Sequence, residues 1–363
     1  MNFKTALSLI LCFVLIFSLS ACGDVSDPTI SVPDEASSGG AVSEEELEAK
    51  GGLNPLTGEY NLKNDAVGKR PVAITVNNVS VAQSVQTGVG KADVIFEVEV
   101  EGGITRLLAL FADPTDVGKI GTIRSMRVPF AEIVCGMDAI LFYHGMDEVH
   151  CRPHVKSLGL DYMEIDTVKY GGREKNGLAY EHTLYTSGDK LDAAIADKKF
   201  DTEGSEKPWL NFRSEDEKAS AGEQSVKKAS VTFNGASTTQ FIYDDADKKY
   251  VRAKKDTPYT DYVTGEQEKF TNVFVLNTKY TSCTSDKCHG ANKSYKVYHR
   301  FADLTSGSGW YISAGGAVEI KWSKGDSANN FTFTNTDGSE LTVNSGNSYV
   351  CLVNASTSKI TME

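Results

Sequence analysis

Apolar positions fall into three regimes along the chain. Residues 6–19 are apolar except for Ser8 and Ser18, residues 22–50 hold almost no apolar bulk, and from Gly51 onward short apolar segments alternate with Gly, Asn, Asp and Pro. Segments 72–76 and 139–143 are continuous runs of the kind buried on both faces of a sheet. Residues 128–137 and 191–195 repeat with helical spacing, the second after Ser187 as N-cap with Asp189 in the first turn. Strands alternating with helices predict an α/β layer over residues 51–200. Segments 230–233, 240–243, 272–276, 317–322, 331–333 and 348–353 are instead short, β-branched or aromatic, and separated by turn residues. The expected architecture is an α/β N-terminal domain (51–200) followed by a smaller β-rich C-terminal domain (229–363). The polar stretch 201–228 reads as a linker, with Trp209 to Phe212 as a docking point, and no solenoid-type repeat occurs.

The first regime is a secretory signal. Lys4 supplies the basic start, residues 6–19 the apolar core, and Leu19-Ser20-Ala21-Cys22 a lipobox. The run is short for a bilayer span. Cleavage after residue 21 leaves Cys22 to take a diacylglycerol, and the acidic residues 22–50 cannot bury enough surface to offset their chain entropy, so they form a tether. The protein is expected at the cell membrane, lipid-anchored and facing the extracytoplasmic side. A formal net charge of -12 with no offsetting basic cluster argues against nucleic acid as a partner.

Cys12 leaves with the signal, so Cys135, Cys151, Cys283, Cys288 and Cys351 remain beside the lipidated Cys22. Cys283 and Cys288 can close a small loop by a disulfide, which the oxidising side of a membrane allows. His289 adds too few ligands for a structural zinc. Between His150 and His154, Pro153 disfavours the regular helix that would put both histidines on one face. No metal and no cofactor are expected.

The densest chemistry lies in residues 92–111. Glu97, Glu99 and Glu101 alternate with apolar residues, and Gly102-Gly103 can form a two-residue turn into a second strand. Pairing Glu101 with Ile104 sets Glu99 opposite Arg106 and Glu97 opposite Leu108, which places the carboxylates and the arginine on one face. At ~3.3 Å per residue the Cα atoms of Glu97 and Glu101 lie about 13 Å apart, too far for a simple two-carboxylate glycosidase. Arg124 and Arg127 flank Ser125 just before a helix, an arrangement able to hold a carboxylate or phosphate. His144 ends a buried strand, where open α/β sheets place ligands. Phosphate-loop, zinc-protease and Gly-x-Ser-x-Gly signatures are absent.

Asn54-Pro-Leu-Thr-Gly58, Arg70 to Ile74 with Asn77-Asn78, Ala92 to Glu97, Val100 to Arg106, Ile120 to Arg127 and Leu184 to Ser187 together resemble the YerB-like bacterial lipoproteins. Tyr250 to Arg252, Asp261, Thr264-Gly265, Asn272 to Val275 and the closing Gly338 to Val353 extend the resemblance over nearly the whole mature chain. It implies a lipoprotein with two domains of unknown function, and it gives weight to Glu97, Glu101, Arg106, Arg124, Ser125 and Arg127 as a shared site. His144 and His182 fall where the family histidines are expected. Tyr180-Glu181 before His182 and the Cys283 to Cys288 insertion depart from the family pattern.

The first reading is a non-catalytic envelope lipoprotein whose α/β domain binds a polar ligand, a cell-wall component, or an envelope protein partner. The alternative is a hydrolase or lyase acting on wall glycan or peptide, with Glu101 or Glu97 as acid/base, His144 or His182 as second proton carrier and the arginines holding an anionic group. The lipobox carries its own test. Cys22→Ala should release the protein from membranes into the soluble fraction on fractionation, and a variant that stays tightly bound would defeat the lipid anchor.

Overall fold

The computed structural model describes residues 51–235, 237–283 and 299–363. Cys22 and Cys288 lie outside them, and Cys283 is disulfide-bonded. Among the described residues no helix is long and apolar enough to cross a membrane.

Most of the chain is sheet. An 11-stranded sheet runs in the order Gln224–Ser225, Gly316–Ser323, Ser306–Ser313, Asn272–Thr278, Ser348–Asn354, Val94–Glu99, Thr105–Phe111, Val72–Asn77, Ile140–Tyr143, Tyr162–Glu164, with Thr332–Asn335 also pairing Gly316–Ser323. Ser348–Asn354 lies parallel between Val94–Glu99 and Asn272–Thr278. Strands from both halves of the sequence therefore share one sheet. The 201–228 stretch lies along that body: Trp209 Nε1 donates to the Leu56 carbonyl at 2.8 Å, and Gln224–Ser225 forms an edge strand.

Side-chain alternation gives the sheet two apolar faces. Phe96, Val98, Leu108 and Leu110 pack with the helices Val128–Gly136 and Cys151–Ser157, and with Trp209, Phe331 and Phe333. Ile95, Leu107, Ala109, Tyr349 and Cys351 pack with Leu191 and Ala194 of the helix Gly188–Lys198, and with Val231, Phe233, Phe241 and Tyr250 of a second, six-stranded antiparallel sheet. Truncating a side chain as buried as Phe96 to Ala should cost about 3–5 kcal/mol.

Two sequence expectations are corrected. The hairpin register is shifted by one: Glu99 pairs with Thr105, Val98 with Arg106 and Glu97 with Leu107. Val100 N donates to the Ile104 carbonyl at 2.9 Å, so the connection has three residues, Glu101-Gly102-Gly103, with both glycines at positive φ. A one-residue slip flips side chains across the sheet, so Arg106 does not share a face with Glu97 and Glu99. Pro153 sits inside the helix Cys151–Ser157. It occupies the first turn, where its missing N–H would have had no helical partner.

Because both halves contribute neighbouring strands, residues 51–363 should unfold in one calorimetric transition whose van't Hoff and calorimetric enthalpies agree. Two separated transitions, one for each half, would contradict this cooperative unit.

Candidate functional site

The directions of the strands create the site. Val72–Asn77 runs parallel to Ile140–Tyr143, which runs parallel to Tyr162–Glu164, while Thr105–Phe111 is antiparallel to both Val72–Asn77 and Val94–Glu99. The carboxyl ends of four strands, near Asn77, Glu99, Tyr143 and Glu164, therefore meet the start of Thr105–Phe111 at one end of the sheet. Ligands of open α/β sheets sit outside such strand ends.

Residues 124–126 are stitched into this end. Arg124 N donates to the Thr75 carbonyl at 3.1 Å, His144 N to the Arg124 carbonyl at 3.1 Å, and Met126 N to the Gly145 carbonyl at 3.0 Å. Gly145 has φ +88°, and a Cβ there would lie 2.6 Å from Ser125 Oγ, so the close approach of the two segments requires glycine.

Four arginines follow one another across the site. Arg106 is buried, donates to the Ser125 carbonyl at 2.7 Å, and is pulled down to about 9 by burial and the Arg127 charge. Arg127 Nε lies 2.7 and 2.8 Å from the two Glu101 oxygens. Arg124 donates to the Glu181 carbonyl at 3.2 Å, and burial with the charges of Arg127 and Arg173 lowers it, against the opposing pull of Glu181. Arg173 donates to the Tyr180 carbonyl at 2.7 Å and reaches His144 Nε2 at 3.0 Å. His144 Nδ1 lies 2.9 Å from the Ile165 carbonyl, so these two contacts together specify the Nδ1–H tautomer. His182 Nδ1 accepts from Asn77 at 2.8 Å, and burial and Arg124 lower its pKa.

The nitrogens Nε of Arg106, Arg124 and Arg173 are buried without a hydrogen-bond partner. Arg252 and Arg300 also leave Nε unpaired, but each has a carboxylate, Glu268 and Glu99 respectively. Among the described residues Arg106, Arg124 and Arg173 have no carboxylate within ion-pair distance; carbonyl oxygens orient them, and Glu101 and Glu181 act on Arg106 and Arg124 only from farther off.

The paired flank is different. His299 bridges Glu101 (Nδ1 to Oε1, 3.3 Å) and Asp147 (Nε2 to Oδ1, 3.2 Å), and hydrogen bonds to Asp147 and Glu101 raise it to about 9 despite burial. Burial pushes Glu101 up, but His299 and Arg127 outweigh it and leave the carboxyl at about 2. Asp147 also accepts from the backbone N–H groups of His150 and Cys151 and is likewise held low.

The structure thus gathers Glu101, Arg106, Arg124, Ser125, Arg127, His144 and His182. Glu97 stands apart: it is fully buried and accepts from Asn78 (2.9 Å), Thr105 (2.6 Å), Thr239 (2.8 Å) and Tyr349 (2.7 Å). Sequence reasoning missed Arg173, Asp147 and His299, of which only Asp147, an Asp able to accept from the N–H groups two to four residues on, carried a local signal. Among the described residues no group of three His, Cys, Asp or Glu side chains could hold a metal. A cavity of about 1530 Å³ lies elsewhere, lined by Trp209, Phe331 and Phe333, and includes none of the arginines except Arg213. Its floor is apolar and its rim mixes Ser, Thr, Asn and Lys side chains with no arginine lacking an Nε partner, so the arginine row marks the better site.

Residues 56–201 match the N-terminal domain, and residues 229–350 the C-terminal domain, of a family described as protein of unknown function (DUF3048). The chain belongs to this family. It is 28% identical over 326 residues to the putative lipoprotein YerB of Bacillus subtilis (strain 168), covering 86% of this chain and 85% of that protein. The crystal structure of the YerB protein from Bacillus subtilis superposes with a TM-score of 0.70 at 25% identity, over 85% of this chain and 99% of that one. In this YerB-like frame the arginine row falls within the first matched stretch and His299 within the second.

Protonated His299 makes a testable pH signature. Its folded pKa lies above the ordinary 6.5, so its contribution is complete below about pH 6.5 and is lost as the pH rises through about 9. The stability gap between wild type and His299→Gln should be on the order of 2 kcal/mol at pH 6 and shrink by pH 9.5 in chemical denaturation. A gap independent of pH would show that His299 is neutral.

Proposed function

We propose that this protein is an envelope lipoprotein, anchored through Cys22, that binds a polar, anionic component of the cell wall at Arg124, Arg173, His144 and His182. The observation that carries the reading is that Arg106, Arg124 and Arg173, in a chain of net charge -12, close no ion pair and leave their Nε nitrogens without partners. Guanidinium groups already oriented by carbonyl oxygens can take a carboxylate or phosphate without first losing a carboxylate partner. The putative-lipoprotein name of the Bacillus subtilis relative supports the envelope placement.

The hydrolase or lyase reading has less support. A general acid needs a pKa near the working pH, whereas Glu101 is held at about 2, and Glu97 is buried under four hydrogen-bond donors. Neither carboxylate is free to act.

Binding of purified wall fragments to the mature chain in detergent tests the proposal. Arg124→Ala and Arg173→Ala should each weaken binding about tenfold or more, the equivalent of one charge-assisted hydrogen bond of ~1.5–3 kcal/mol. Melting temperatures should change little, because neither arginine closes an ion pair. Unchanged affinity in both variants would remove this function, and product release by wild type would restore the enzymatic reading.

A further inference from the structure

Tyr180 is 70% exposed, yet it is not a loose surface ring. It opens the short 3-10 turn Tyr180–His182, and its carbonyl accepts from Arg173 at 2.7 Å and from Thr183 Oγ1 at 2.8 Å. The Arg173 guanidinium carbon stands 3.8 Å from the ring centroid, a stacking that occupies one face and leaves the ring open to solvent on the other. The carbonyl of the next residue, Glu181, holds Arg124 at 3.2 Å. One turn therefore presents an oriented aromatic face beside two guanidinium groups that lack carboxylates.

We infer that the ligand is an acidic saccharide, its pyranose ring stacked on the open face of Tyr180, which Arg173 backs from the other side, and its carboxylate held at the ring's edge by Arg124. The inference rests on the anion-binding reading above and narrows it. A small anion would use the arginines alone and gain nothing from an ordered, solvent-facing ring. A neutral sugar would use the ring and leave the guanidinium charge unanswered. Only a ligand with both parts engages both features, and an aromatic ring with one wet edge suits a surface that is apolar above its C–H groups and hydroxylated at its rim. Glu181, half exposed beside His182, can bond ring hydroxyls.

Three probes separate these contributions in NMR titrations of the mature chain in detergent. N-acetylmuramic acid carries ring and carboxylate, lactate the carboxylate alone, and N-acetylglucosamine the ring alone. N-acetylmuramic acid should bind wild type about tenfold tighter than lactate, a difference of ~1.4 kcal/mol. Tyr180→Ala should bring it down to the lactate level while leaving lactate unchanged, Tyr180→Phe should restore the difference, and Arg124→Ala should weaken both anions. Equal binding of lactate and N-acetylmuramic acid by wild type, or a Tyr180→Ala variant that keeps the difference, overturns the saccharide inference while anion binding stands. No binding of either anion, with Arg124→Ala indistinguishable from wild type, overturns the anion-binding reading itself.

Discussion

The geometry of the whole molecule turns on one buried cation. Arg252 is fully buried and lies 2.7 Å from Glu268 Oε2, 2.7 Å from Asn78 Oδ1 and 3.3 Å from Gln86 Oε1, with the Tyr259 ring centroid 4.1 Å away. Removing one partner of a buried ion pair typically costs 3–5 kcal/mol, because the survivor keeps its desolvation penalty. Arg252 belongs to the six-stranded sheet and Asn78 follows the Val72–Asn77 strand of the central sheet, so the network fixes how the two layers meet. Glu97 joins through Asn78 and Tyr349, which is why a residue that looks catalytic in the sequence is structural here. The same Asn78 follows Asn77, whose amide orients His182, so the buried network also sets one wall of the candidate site.

At that site the arrangement of hydrogen bonds matters more than the number of charges. Backbone oxygens hold Arg106, Arg124 and Arg173 in place but carry only partial charge, and no carboxylate closes a direct ion pair with any of the three. Arg127, two bonds from Glu101, is answered. Burial lowers Arg106 and Arg124, meaning that their charge is costly where it stands. Under the proposed function, an anion would relieve that cost and meet donors that need little reorganisation, which is how preorganised sites convert charge into affinity.

Patterning made the elements legible and left their association unread. Segments 72–76, 128–137 and 139–143 show their period locally, and each forms the expected element. The hairpin was misjudged because Gly102-Gly103 suits a two-residue turn equally well, and only packing of Val98 and Leu107 on opposite faces decides the register. The shared sheet was invisible because Ser348–Asn354 pairs with a strand some 250 positions earlier, as the Ser348 and Val94 register shows. Of the site, Arg124, Ser125, Arg127 and His144 were readable from their position at strand and helix ends. Arg173 and His299 were not, since neither sits in a motif and the partners of His299, Glu101 and Asp147, lie far earlier in the sequence.

His299 joins both halves of the chain beside the candidate site. It comes from the second matched half, yet its imidazolium lies between Glu101 and Asp147 of the first. Glu101 in turn holds Arg127, and Asp147 accepts the N–H groups that open the helix Cys151–Ser157, which packs beside Val128–Gly136. A carboxylate facing both Arg127 and a protonated histidine is satisfied on two sides and does not swing toward Arg124. The paired flank thus acts as a clamp that uses up Glu101 and keeps the unpaired arginines available.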